Sequence, residues 1–184
     1  MTTTTSTPHS NRYHPVSIGL HWLMLLLLAA VYVLMEFRDI YPRGSEPRDL
    51  MKTWHYMLGL SVLSLVIVRL LARKLWAAPD PITSSPSWTI PLSKWVHVGL
   101  YALMIGMPIG GWLILSAEGE IIPFFGWQLP ALIAPNEMLA EQVEEIHELG
   151  SRVGYALIGL HAIGALVHHY LWRDGTLKRM WFSR

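Results

Sequence analysis

Four stretches of this chain are each long and apolar enough to cross a lipid bilayer, and they leave few ways to fold it. A spanning helix needs roughly 20 predominantly apolar residues. Residues 15–35 meet that requirement with the core LMLLLLAAVYVLM, and residues 53–71 meet it with TWHYMLGLSVLSLVIVRLL. Residues 96–115 and 153–171 are the third and fourth windows. Arg69 is the only Asp, Glu, Lys or Arg inside them, close enough to the end of the second for its side chain to snorkel to the headgroups. Lipid offers the backbone no hydrogen-bond partner, so each window reads as a helix.

Composition agrees. Of 184 residues, 52% are apolar or aromatic and 15% charged, against about 25% charged in ordinary soluble domains. Such a chain is too apolar to be disordered. It has no cysteine, which excludes a disulfide-stapled module, a thiolate-bound zinc or iron–sulfur centre, and haem attached through C-x-x-C-H. A net charge of +1 gives no case for a nucleic-acid partner.

The segments between windows are short. Residues 1–14 (MTTTTSTPHSNRYH) form a polar leader, expected to be a flexible tail. The first window is too long for a secretory h-region and no A-x-A site follows it, so it is read as a span and not as a cleaved signal. Residues 121–134 (IIPFFGWQLPALIA) are apolar, but Pro123, Pro130 and the following Pro135 mark an interfacial segment instead of a fifth span. Asn136 reads as a helix N-cap, with acidic residues after it, so the fourth helix starts well before its apolar window. The expected fold is an all-α membrane protein, an antiparallel four-helix bundle over residues 15–172, with a basic tail at 173–184.

Lysine and arginine orient the bundle. Arg12, Arg69, Arg73, Lys74, Lys94, Arg173, Lys178, Arg179 and Arg184 fall on the side of the termini. Arg38, Arg43, Arg48 and Lys52 fall on the other, with Arg152 just inside the fourth helix. The positive-inside rule places both termini in the cytoplasm.

Seven of the nine histidines lie in or at the ends of the helices: His21, His55, His97, His147, His161, His168 and His169. His9 and His14 belong to the leader and receive no role. A polar ring at membrane depth is costly and marks function by default, although any one could simply bond a neighbouring carbonyl. The pattern of the set is more informative. His147 and His161 are 14 residues apart, which returns to nearly the same helix face after a rise of about 21 Å. Gly154 lies midway and Gly150 close by, either for close helix packing or to leave room for flat macrocycles. In an antiparallel layout His21 is level with His161, and His55 with His147. Two bis-imidazole sites stacked through a bundle suit two non-covalent haems. His97 is surplus, with a structural or quinone-side role favoured over ligation in place of His21. His168 continues the His161 face about 10 Å further on, at the membrane edge, where it could contact a quinone headgroup. A single zinc or copper site would need ligands far closer together. Most tryptophans sit near helix ends, as interface anchors do.

Several segments resemble the prokaryotic cytochrome b561 family: IGLHW at 18–22, YVLMEFR at 32–38 followed by YPR, VRLLAR at 68–73, and HELGSRVGYALIGLHAIGALVHHYLWRDGTLKRM at 147–180. The likeness spans roughly residues 12–180. It implies a bacterial inner-membrane protein carrying two haems b, with His21 and His161 as ligands of the cytoplasmic-side haem and His55 and His147 as ligands of the periplasmic-side haem. Some members of that family are superoxide oxidases, so the resemblance implies electrons taken from superoxide outside and given to ubiquinone near the cytoplasmic side. Arg38 is the candidate at the superoxide mouth and His168 the candidate at the quinone.

Charge at the outer side leaves the donor open. A positive funnel favours an anionic substrate, yet the four basic residues there face Glu36, Asp39, Glu46, Asp49, Glu118, Glu120, Glu137, Glu141, Glu144, Glu145 and Glu148. That surplus suits a cationic periplasmic redox protein as donor, in which case the chain is an electron carrier to quinone. A non-redox membrane protein using its histidines for packing or ion passage is the third possibility.

Overall fold

The computed structural model describes residues 12–76, 78–80, 82 and 86–181. His9, Arg184 and most of the polar leader lie outside the described residues. Four long helices dominate: α1 (Pro15–Phe37), α2 (Glu46–Leu75), α3 (Thr89–Glu118) and α4 (Glu137–Tyr170). All four are long and apolar enough to cross a membrane. α2 and α3 start seven residues before their apolar windows and end a few residues after them, because polar helical turns cap the spans at the headgroups.

Local chemistry sets the ends. Pro15 occupies the first turn of α1, and the His14 ring accepts from the Val16 amide at 3.4 Å. His14 also stacks on Trp76 at the far end of α2, at 4.2 Å between ring centroids, so the residue given no role in the sequence caps one helix and touches another. Asn136 caps α4 as expected, its side chain accepting from the Leu139 amide at 3.1 Å. Gly119 ends α3 at φ 74°, a left-handed conformation that glycine adopts without strain.

The 121–134 segment does not cross the membrane. It carries a small antiparallel hairpin, β1 (Ile122–Phe124) and β2 (Trp127–Leu129), with Phe124 opposite Trp127. This is the one departure from the all-α expectation among the described residues. The hairpin packs on α2 and α3 and buries Ile122 against Leu60 and Leu115.

α1 packs on α2, α2 on α3, and α3 on α4. The core shared by α1, α2 and α3 is Met24, Val62, Val66 and Met104. Outward faces stay apolar and exposed, as at Leu26, Leu71 and Ile163, which is the surface a bilayer wets. α4 meets α1 through long side chains: the Tyr32 hydroxyl donates to the Ser151 carbonyl at 3.0 Å, and Tyr155 donates to Glu36 at 3.2 Å. The basic C-terminal stretch does not trail away. A 3-10 turn at Leu177–Met180 folds back under α1, where the Trp22 indole donates to the Met180 carbonyl at 2.9 Å and Arg179 donates to the Asp80 carbonyl at 2.6 Å.

Candidate functional site

Two tiers of imidazoles occupy the space between α4 and the α1–α2 pair. At the end nearer the termini, the His21 and His161 ring centroids are 6.0 Å apart. At the opposite end, those of His55 and His147 are 6.4 Å apart. Both pairs anticipated from spacing are therefore brought together, each joining a different helix to α4. An ion held by one nitrogen of each ring, at about 2 Å per bond, sets such centroids roughly 6 Å apart. Helix rise separates the tiers by about 21 Å along α4.

The tier away from the termini, the outer tier of the sequence reading, is the more completely built. His55 Nδ1 lies 3.0 Å from the Val31 carbonyl oxygen. A carbonyl only accepts, so Nδ1 carries the proton and Nε2 keeps the lone pair that a metal needs. His147 Nδ1 is buried with no hydrogen-bond partner, a costly condition for a polar atom in a native interior. A Cβ on Gly110 would stand 3.4 Å from that nitrogen, and one on Gly111 3.5 Å from Cε1. Both glycines of α3 therefore lie against the ring, with room for no more than a methyl group. A cavity of about 570 Å³ opens beside the pair, lined among others by His55, His147, Gly59, Tyr32 and Arg38, within the range of small-molecule and cofactor sites. Two facing imidazoles beside a cavity of this size fit a planar metal macrocycle.

Three imidazoles form the inner tier. The His97 ring is 5.1 Å from that of His161, closer than His21. Arg69 Nη2 lies 3.1 Å from His21 Nδ1 and donates to it. The residue left over by the sequence pattern thus belongs spatially to this tier. Among the described residues no group of three or more His, Asp or Glu could hold a lone metal ion, so a compact zinc or copper site is not built.

Gly150 and Gly154 serve packing. A Cβ on Gly150 would run into the Met107 sulfur, and one on Gly154 into the Tyr32 hydroxyl, with Leu103 Cδ1 at 2.9 Å. Both glycines let α4 approach α1 and α3 closely, and the glycines that face a tier histidine lie on α3.

Arg38 lines the outer cavity, its Nε buried and 3.8 Å from Asp39. Arg48, counted in the sequence among the outer charges, is buried and committed to structure: it donates to the carbonyls of Arg38 and Tyr41 and pairs with Asp39 at 2.7 Å. At the opposite end His168 Nδ1 bonds the Asp174 carboxylate, whose second oxygen accepts from the Thr176 amide at 2.9 Å. The Trp172 ring closes on His168 edge-on at 4.6 Å. Asp174, Tyr32 and Tyr155 escaped the sequence reading, for no periodicity or spacing sets them apart.

A four-span helical bundle with imidazoles paired across its interior at two depths defines a membrane electron-transfer cytochrome of the b type. The comparison with known proteins makes the assignment specific. The chain belongs to the prokaryotic cytochrome b561 family, whose profile it matches over residues 12–183. It is 34% identical to cytochrome b561 homolog 1 of Escherichia coli K12 over 170 residues, 92% of this chain and 97% of that one. It is 36% identical to the probable superoxide oxidase CybB of Yersinia pestis, over 92% of this chain and 95% of that one. Cytochrome b561 homolog 2 of Escherichia coli K12 is 29% identical over 184 residues, 96% of this chain and 93% of its own length. Membership implies haem b and a multi-pass bacterial membrane protein.

Proposed function

We propose that the protein is a superoxide:ubiquinone oxidoreductase carrying two haems b. His55 and His147 hold the haem of the outer side, and His21 and His161 the haem of the side that bears both termini, which faces the cytoplasm. The overall reaction is two superoxide plus ubiquinone plus two protons giving two dioxygen plus ubiquinol. The observation that carries the reading is the ladder of two facing imidazole pairs, 6.0 and 6.4 Å between ring centroids, on opposite halves of one bundle.

When bound, the haems supply one-electron transfer between the two membrane faces. The protein's own residues do the rest. The Val31 carbonyl fixes the His55 ring and raises its basicity as a ligand. Arg38 at the outer cavity attracts and orients the superoxide anion. His168, held by Asp174 beside Trp172, passes a proton to the quinone oxygen as it is reduced. Support for superoxide as donor comes from the Yersinia pestis relative, whose name is probable superoxide oxidase.

The test is a superoxide pulse on the purified, oxidised protein. Haem reduction within the pulse, followed by reoxidation on adding ubiquinone, is the expected result. Haems that ignore superoxide but pass electrons to quinone from a reduced protein would support the alternative, a carrier fed by a periplasmic redox protein. One observation favours that second reading: Glu36, Glu118, Glu144 and Glu148 line the same outer cavity as Arg38, Lys52 and Arg152, and a surplus of acidic groups suits a cationic donor.

A further inference from the structure

We infer that Arg69 and Arg73 of α2 are the anchor for the two carboxylates of the inner haem; the inference rests on the ligand assignment proposed above. Arg69 is half-buried within a membrane-spanning helix, where a guanidinium is expensive and is found paired. Among the described residues, neither it nor Arg73 has a carboxylate within 4.0 Å. Both stand over the face of Tyr101, at 5.9 and 6.0 Å from the ring centroid, one helical turn apart. The hydroxyl of Tyr101 is buried with no hydrogen-bond partner. Two cations and an unpartnered hydroxyl therefore converge beside the inner histidines, and among the described residues neither cation has an anion.

Arg69 donates to His21 Nδ1, but this contact cannot persist beside a ligating ring. An imidazole that binds metal through Nε2 carries its proton on Nδ1, and a guanidinium has no acceptor to offer it. Arg69 then needs another partner, and that partner must be an anion. Haem b carries two propionate carboxylates, matching the two guanidinium forks in number and charge.

The experiment uses the holoprotein in a His55→Ala background, which isolates the inner haem. Arg69→Gln, Arg73→Gln and the double variant are compared with Arg69→Lys and Arg73→Lys. The readouts are the propionate bending mode in the resonance Raman spectrum and the rate of haem transfer to excess apomyoglobin. The expected result is a shifted mode in every Gln variant, haem release roughly tenfold faster in the double variant, and smaller changes with Lys. If the Gln variants do not accumulate, the mode in the Lys variants decides. A mode unmoved by these substitutions overturns the assignment, whether or not release changes, and would leave lipid phosphate as the partner of the two arginines. If His55→Ala does not leave one haem per chain, it is the ligand assignment that fails.

Discussion

His55 and Val31 lock α2 to α1: the histidine Nδ1 and the valine carbonyl oxygen are 3.0 Å apart, and the His55 ring centroid lies 6.4 Å from that of His147 across the bundle. A ring fixed in this way is pre-organised as a ligand. Under the proposed function, His55→Ala should halve the haem-to-protein ratio measured as the pyridine haemochrome, and His147→Ala should do the same. His161→Ala should remove the other haem. The inner tier offers a sharper choice, because His97 is closer to His161 than His21 is. Loss of the inner haem in His97→Ala but not in His21→Ala would reassign that ligand.

Gly154 is filled by its neighbours. A methyl group there meets the Tyr32 hydroxyl and Leu103 Cδ1, so Gly154→Ala should destabilise the bundle by about 1–3 kcal/mol, the usual cost of overpacking. Tyr32→Phe gives up one hydrogen bond to Ser151, worth about 1 kcal/mol. The double variant should be more stable than the sum of the two changes predicts, since the phenyl ring lacks the oxygen that clashes. Thermal melts of the four proteins in detergent measure this coupling, and strict additivity would mean that Tyr32 is not what fills the space.

What was legible in the sequence follows from which forces have a period. The four spans and the Asn136 cap could be read because bilayer thickness and helix capping leave direct marks on length and residue type. The pairing of His21 with His161 and of His55 with His147 could be read because helix rise converts residue number into depth. The hairpin at 122–129 was foreseen only as a segment that does not span, because six paired residues carry too little alternation to announce strands. Arg48 was counted as one more outer charge, since burial against Asp39 and two carbonyls depends on how the 38–41 turn folds back. His97 stayed unplaced because depth alone does not say which way a residue faces around the bundle. Only the packing of α3 on α4 brings it to His161.

The bond from His168 to Asp174 joins the last turn of α4 to the loop that follows it. A carboxylate so placed orients the ring. Under the proposed function, His168→Ala and Asp174→Asn should each slow reoxidation of the haems by ubiquinone, by tenfold or more for the histidine if it is the proton donor. Haem content and the rate of reduction from the outer side should not change. Stopped-flow absorbance in both directions separates the two, and an unaltered reoxidation rate in His168→Ala would remove that residue from the quinone site.

Arg38 discriminates between the two donors. Its side chain lines the outer cavity with Lys52 and Arg152 and with Glu36, Glu118, Glu144 and Glu148, so reversing its charge tips a mixed mouth towards acidic. If superoxide is the donor, Arg38→Glu should slow haem reduction several-fold at low ionic strength, by loss of attraction for an anion. The difference should shrink as salt approaches physiological strength, where the screening length falls to about 8 Å. If the donor is instead a cationic protein, the same substitution should speed reduction, and salt should erase the gain. The sign of the change in the rate constant, measured at two salt concentrations with each donor, decides which partner this mouth is built to receive.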